Sequence, residues 1–375
     1  DKAYQAYLKG QDFSNRLYRK EALQEFERAT KIDSNFAMAW ARAASYYKNS
    51  DKKELYEKAK TRALSLLPKV KDNEKIMINL LISQSDGNYA DLKKYSAELM
   101  EKYGNSFDAL EIASQQTLGQ KEYDKCIEVV DKMLKINPDY AMGYNCLGYS
   151  YYFKGEYGKA LENLDKYSKL APDQANPHDS YGEILLYLGR YDEALTQFRK
   201  ADSIKAGLDF VMMHLGQAYY AKGMYRDALG AYMKAKEFST NAIGRYSLEI
   251  DIAFCYKKLG QMDKTIDLMN EVISRDPQFA DAHAVLGYCF ALSGNLEEAE
   301  NQLRIVKSIV DTMKFENSVM KSNRLSIVNF IQGAIDLARN DYKSSIANYK
   351  EFLNTAPYPA KLNYLEFIFD AYSRA

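Results

Sequence analysis

The sequence contains few glycine and proline residues, which interrupt helices, and few cysteine residues, which form disulfides or bind metals. It contains only 19 glycines and 7 prolines among 375 residues, which excludes collagen-like and linker-dominated chains and favours helix. Its four cysteines show no C-x-x-C spacing, which argues against a zinc site and against a disulfide framework. We therefore expect buried free thiols at Cys126, Cys146, Cys255 and Cys289.

An excess of charge and long apolar runs are also missing. Lys and Arg (51) balance Asp and Glu (51), which argues against nucleic-acid binding. No apolar run approaches the roughly 18 residues that cross a bilayer, so we predict no direct membrane insertion. With three histidines and no G-x-S-x-G, H-E-x-x-H or P-loop motif, the sequence predicts no enzyme, no cofactor and no metal site. The start at Asp1 is interpreted as a trimmed piece of a longer protein or a mature form after cleavage.

Tyrosine is abundant, with 32 copies against one tryptophan, and much of it follows a spacing of 34 residues. Leu147-Gly148…Tyr151 recurs 68 residues later as Leu215-Gly216…Tyr219. A Gly-x-Tyr-x-x-Ala motif follows at the same spacing, as Gly155/Tyr157/Ala160, Gly189/Tyr191/Ala194 and Gly223/Tyr225/Ala228. The pattern predicts helical hairpins in which the second glycine takes a left-handed turn conformation. One hairpin cannot bury its apolar faces alone, so successive hairpins are expected to stack.

This pattern resembles the tetratricopeptide repeat, W-x2-L-G-x2-Y…A-x3-F…P. The resemblance implies an all-α, right-handed superhelical solenoid of about ten repeats with a C-terminal capping helix. The whole of 1–375 is then one solenoid, with degenerate N-terminal repeats in 1–105, well-formed repeats in 106–311, an insertion in 312–323, the last repeat in 324–357 and the capping helix in 358–375. We expect the insertion to lengthen the second helix of the ninth repeat or to form a loop. The spacing also predicts about two extra residues near 70 and three near 242.

The opening segment carries a second resemblance. Residues 3–13, 22–29 and 32–37 resemble the entry repeat of bacterial proteins in which a tetratricopeptide array follows a winged-helix DNA-binding domain, a protein kinase or a nucleotide cyclase. This implies that the chain is the regulatory or docking region of a larger signalling protein. The expected lack of disulfides predicts the cytoplasm as the location, and the trimmed start leaves a periplasmic domain of a membrane-anchored protein as the alternative.

The first helices of stacked repeats line a concave surface, and spacings of three and four residues select the side chains that face it. The predicted peptide-binding residues are Asn145, Tyr149, Tyr152, Phe153, Asp179, Glu183, Tyr187, Met213, Gln217 and Tyr220. Packing between neighbouring first helices is the competing interpretation of the aromatic members. His178 and His283 occupy the position that Trp40 fills in the second repeat, and we expect them to be structural. The tyrosines at the hairpin turns, including Tyr123 and Tyr157, are also expected to be structural.

The nominated surface predicts the class of partner. Related repeats that hold acidic chaperone tails use Lys, Arg and Asn, whereas these ten residues include two carboxylates and no Lys or Arg. We therefore expect a neutral, basic or apolar-anchored peptide, bound by a non-catalytic interaction scaffold that is a monomer or a weak homo-oligomer. A sensor of a small cationic ligand is the alternative, since aromatic rings and carboxylates attract cations.

Overall fold

The fold was analysed in a computed structural model that describes residues 1–313, 318–355, 368 and 371–375. This part of the chain is helical and contains no β-strand. In chain order the helices are α1 Lys2–Asn15, α2 Arg19–Ile32, α3 Ala37–Lys48, α4 Lys53–Ser65, α5 Asp72–Asp86, α6 Tyr89–Tyr103, α7 Phe107–Gly119, α8 Tyr123–Ile136, α9 Ala141–Phe153 and α10 Tyr157–Leu170. The remaining helices are α11 Ala175–Tyr187, α12 Tyr191–Ile204, α13 Asp209–Ala221, α14 Tyr225–Phe238, α15 Ala242–Lys258, α16 Met262–Arg275, α17 Ala280–Leu292, α18 Leu296–Thr312, α19 Ser318–Ala338 and α20 Tyr342–Thr355.

These helices pair in order into ten hairpins, an odd-numbered first helix with the even-numbered second helix that follows, as the repeat spacing predicts. The hairpins fall into two compact units, residues 1–208 with 240–242 (unit 1) and residues 209–239 with 243–375 (unit 2). Within unit 1, α9 contacts α7 and α11, so first helices touch first helices along the stack. The first helices therefore form the more tightly curved, inner layer of the unit.

Glycine performs two separate tasks in these hairpins, and the one at the turns was predicted from the sequence. At the turns, Gly155 has φ 80° and Gly189 has φ 74°, a left-handed conformation that other residues adopt at a cost. Inside the first helices, glycine allows close approach. A Cβ on Gly182 would lie 2.6 Å from Phe198 Cε1, and one on Gly148 would lie 2.6 Å from Leu164 Cγ. The large residue of the second helix therefore packs directly on the backbone of the first.

Most of the described residues near the three predicted insertions are helical. A short 3-10 turn, Leu67–Lys69, lies near the first, and α15 runs for 17 residues at the second. The third was expected to lengthen the second helix of its repeat or to form a loop. The second helix of the ninth repeat, α18, is indeed longer, with 17 residues against 14 in α16. In addition, α19 begins at Ser318 and runs for 21 residues, so residues 318–323 extend the next first helix. The absence of Pro and Gly from 312–323 removes the usual stop signals. Residues 314–317 and most of the predicted capping helix (358–375) lie outside the described residues.

Candidate functional site

A cluster of five aromatic rings lies where α9 and α11 end in unit 1. Its members, Tyr123, Tyr152, Phe153, Tyr157 and Tyr187, are called the aromatic cluster below. Tyr152 packs against Tyr187 and Phe153, with ring centroids 5.6 and 5.2 Å apart. Phe153 stacks on Tyr123 at 5.2 Å and keeps 46% of its surface exposed. A contiguous and partly exposed aromatic surface of this kind is typical of a recognition site.

A carboxylate is fixed beside this cluster. The hydroxyls of Tyr149 on α9 and Tyr187 on α11 both donate hydrogen bonds to Glu183. Burial and the adjacent negative charge of Glu183 raise the pKa of both tyrosines well above the ordinary value, so both stay protonated donors. The two hydroxyls hold the Glu183 side chain in one orientation across the α9–α11 boundary.

Asn145 lies one helical turn before Tyr149 on the same helix. Its Nδ2 approaches the Met142 sulfur at 3.4 Å, and its Oδ1 is buried without a hydrogen-bond partner. A buried carbonyl oxygen without a donor costs free energy in the folded protein. Asp179, the neighbouring position on α11, is only 4% exposed and is largely enclosed by protein.

The other nominated residues belong to unit 2. Met213 and Gln217 are half-buried on α13, whereas Tyr220 is only 6% exposed and burial raises its pKa. Gln217 Oε1 and the Tyr220 hydroxyl are both buried without a hydrogen-bond partner. The ring of Tyr220 contacts Tyr225 at 5.2 Å, so packing accounts for part of its surroundings.

Sequence reasoning assigned Tyr123 and Tyr157 a purely structural role at the hairpin turns. Both rings join the aromatic cluster, Tyr123 through Phe153 and Tyr157 through Tyr152 at 5.7 Å, and Tyr157 is 49% exposed. The spacing of the turn glycine and the tyrosine that follows it already indicated this arrangement. The turn glycine brings the first residue of α10 back beside the last residues of α9.

Trp40 and the ring residues at the equivalent position of other repeats have structural roles, because their polar ring atoms make contacts within the protein. Trp40 Nε1 donates to Ser34 O at 3.1 Å, and Tyr144 donates to Pro138 O at 2.9 Å, in each case the carbonyl six residues earlier. His283 Nε2 lies 3.2 Å from Pro277 O and its Nδ1 lies 2.7 Å from Gln302 Oε1. His178 Nδ1 makes the equivalent contact with Gln197 at 2.8 Å. These partners account for both ring nitrogens of His283 and for Nδ1 of His178, whereas Nε2 of His178 is buried without a partner.

The cysteine thiols are also enclosed by protein. All four cysteines are buried, and burial raises the pKa of the thiols of Cys146, Cys255 and Cys289 to about 12. Over the described ranges, His, Cys, Asp and Glu side chains form no group with metal-binding geometry. Nor does this part of the chain contain a helix with the length and apolarity needed to cross a bilayer.

Comparison with known proteins agrees with the hairpin geometry. The tetratricopeptide repeat family model matches residues 147–208 and 256–304. The structure is similar to a tetratricopeptide repeat protein from Parabacteroides merdae ATCC 43184, with a TM-score of 0.52 and 13% identity over 71% of this chain and 98% of that one. The chain has the tetratricopeptide-repeat fold.

A second solved structure with this fold covers nearly the whole length. A chain of the APC/C hetero-tetramer Cut9–Hcn1 aligns with 98% of this chain and 76% of its own length, with a TM-score of 0.53 and 13% identity. No curated protein matches the chain in sequence. At these identities the tetratricopeptide-repeat structures bear on the fold alone.

Proposed function

We propose that this chain is a non-catalytic protein-interaction scaffold that binds an extended peptide segment on the inner layer of unit 1. The observation that carries the proposal is the juxtaposition of the aromatic cluster and the oriented carboxylate of Glu183. Tetratricopeptide-repeat proteins in general offer this layer to protein partners. The fold shared with a chain of the Cut9–Hcn1 hetero-tetramer is compatible with assembly on another protein.

Each part of the site has a separate task in this proposal. The rings of Tyr152, Phe153 and Tyr187 contact apolar or aromatic side chains of the peptide. Asn145, which is half-buried, is proposed as a polar contact of the peptide. Met213, Gln217 and Tyr220 are proposed as a separate peptide-contacting surface of unit 2, in which Met213 and Gln217 are half-buried.

The proposed peptide is neutral or basic. Glu183 is held by two neutral donors, and the nominated surface contains no Lys or Arg that would pair with an acidic tail. A carboxylate-rich ligand would meet like charge there, which lowers affinity. We further propose, from the opening segment, that the chain is the regulatory or docking region of a larger bacterial signalling protein.

The proposal is tested by measuring peptide binding to the full chain. Fluorescence polarisation against pooled basic, neutral and acidic peptides should show binding of the basic or neutral pools. Phe153→Ala and Tyr187→Ala should each weaken that binding by at least about fivefold, since truncating a central aromatic contact costs more than about 1 kcal/mol. Tyr89→Ala is the matched control, because Tyr89 is also exposed (55%) and begins the second helix α6, away from the cluster. Preferential binding of the acidic pool, or equal loss in all three variants, would contradict the proposal.

A sensor of a small cationic ligand is the second candidate. The placement of aromatic rings around an oriented carboxylate favours it, because a cation gains from both. A thermal shift with organic amines that disappears in Glu183→Gln, without binding of any peptide pool, would favour this function over peptide docking.

A further inference from the structure

The two ends of unit 1 touch each other. The turn of the first hairpin contacts the loops that follow the fifth and sixth hairpins, 157 and 184 residues away in sequence. Arg16 Nη1 lies 2.9 Å from Asp173 Oδ2, and Lys205 Nζ lies 2.5 Å from Glu21 Oε1. The Lys205 ammonium also lies over the ring of Tyr18, 5.2 Å from its centroid. These five residues are called the clasp.

The described contacts of the clasp are made by side chains. Among the described helices of unit 1, extensive packing joins helices close together in sequence, such as α1 with α2 and α8 with α9. The helix pairs that pack extensively do not include α1 or α2 with α10, α11 or α12. The contacts described here between the ends are two ion pairs and one cation–π contact.

The clasp is also partly open to solvent. The side chains of Lys205 and Glu21 are 35% and 30% exposed, and those of Arg16 and Asp173 are 26% and 67% exposed. Ion pairs at such positions stabilise weakly and are screened by salt. Closure of the unit is therefore expected to be marginal, which is the condition for a reversible change.

The charged groups are oriented for this contact. Asp12 Oδ2 lies 3.0 Å from Arg16 Nε and positions the guanidinium toward Asp173. Lys205 follows α12 in an extended conformation (φ −145°, ψ 99°), so its side chain leaves the helix end. Partial burial acts to raise the pKa of Glu21, but the hydrogen bond from Lys205, a backbone hydrogen bond at Glu21 and the charges of Lys205 and Lys20 together lower that pKa, which keeps the carboxylate charged at neutral pH.

We propose that the clasp is a salt-sensitive closing device, which holds the ends of unit 1 together and opens the stack of six hairpins when its ion pairs break. Opening relaxes the curvature of the unit and widens access to its inner layer of first helices. The affinity for a partner that needs the wider form would be reduced in proportion to the fraction of molecules that are open. The device does not depend on the identity of any ligand.

The test uses spin labels on the full chain, at Asn15→Cys and Ser203→Cys, which are exposed positions on either side of the clasp. The four native cysteines are buried, so labelling is directed to the new ones. Pulsed electron resonance should show one short distance in low salt. Lys205→Glu, or about 1 M salt, should raise the ratio of open to closed molecules about fivefold or more, the change that corresponds to about 1 kcal/mol.

Two further variants decide the interpretation. Glu21→Lys with Lys205→Glu restores the pair with its charges exchanged and should restore the short distance. Lys60→Glu breaks a pair of similar exposure, Lys60–Asp86 at 2.7 Å, but that pair joins neighbouring hairpins and should leave the distance unchanged. The proposal is overturned if Lys205→Glu leaves the distances unchanged, if the exchanged pair fails to restore them, or if Lys60→Glu has the same effect.

Discussion

At the scale of single residues, one position of the first helix shows how different side chains solve the same problem. Tyr144 and His283 bury a ring, Trp40 is half-buried, and each of the three contacts the carbonyl six residues earlier. In each case the polar edge of the ring ties the loop between hairpins to the first helix. His178 departs from the pattern, because its Nε2 is buried without a partner.

This difference predicts a pH dependence. Burial lowers the pKa of His178, Gln197 acts to raise it and Lys200 lowers it further, and the net shift is downward. The unfolded chain therefore binds a proton more readily as the pH falls below about 6.5, and stability is lost from there down to the lower native pKa. His178→Met copies Met212 in the next hairpin. This change should reduce the dependence of the thermal unfolding midpoint on pH between pH 5 and 7. An unchanged pH profile would contradict the assignment.

The helix glycines give a second residue-scale prediction. Gly182→Ala places a Cβ 2.6 Å from the Phe198 ring and should destabilise the chain by about 1–3 kcal/mol, despite the better helix propensity of alanine. Gly158→Ala is the control, because it lies on an exposed helix face with no atom within 4 Å and should stabilise by about 0.5–1 kcal/mol. Urea unfolding followed by circular dichroism compares the two. Equal effects would show that close approach is not the role of Gly182.

At the scale of helices, the repeat spacing was enough to predict which helices pair and where the turns lie, because both depend on local sequence pattern. The hairpins from α7 to α12 follow the 34-residue spacing, and the turn conformations of Gly155 and Gly189 follow from motif position. The degree of exposure at the site was not predictable in this way. Tyr220 and Asp179 occupy groove positions in the pattern, yet the packing of neighbours encloses both. The clasp could not be predicted from the sequence either, since no local pattern connects Glu21 with Lys205.

The eighth hairpin shows a helix-scale exception. Glu249 stands where other first helices place Trp40 or Tyr144, and it is 0% exposed. Two cations from adjacent helices neutralise it, Lys236 Nζ at 2.5 Å and Arg275 Nη2 at 2.8 Å. A buried carboxylate is tolerated only with such partners, so these ion pairs are expected to fix the packing of α14, α15 and α16.

Replacing both cations tests this expectation. Lys236→Met with Arg275→Met leaves the carboxylate of Glu249 buried and unpaired, and should cost about 3–5 kcal/mol in free energy of unfolding. Adding Glu249→Met should recover most of the loss, because the three methionines then pack as an apolar group. Chemical denaturation of the wild type and both variants measures the difference. A triple variant no more stable than the double one would mean that the charges contribute in another way.

At the scale of the whole chain, the contacts run mainly between hairpins that are close in sequence. Each hairpin contributes its own interior and one interface on either side, so disturbance is expected to spread over short distances. Leu164 is fully buried in α10 and packs on Gly148 in α9. It is therefore a suitable place to introduce a local defect in the middle of unit 1.

Leu164→Ala should destabilise its surroundings by about 2–5 kcal/mol through the cavity that it leaves. Amide hydrogen exchange should become faster in α9, α10 and α11, while α3 and α4 in the same unit keep their wild-type protection, because no helix packing joins them directly to α10. Leu55→Ala, at an exposed leucine of α4, is the control and should change little in either region. A uniform acceleration through residues 1–208 would mean that unit 1 unfolds as one cooperative body, and a nearest-neighbour description of its stability would then fail.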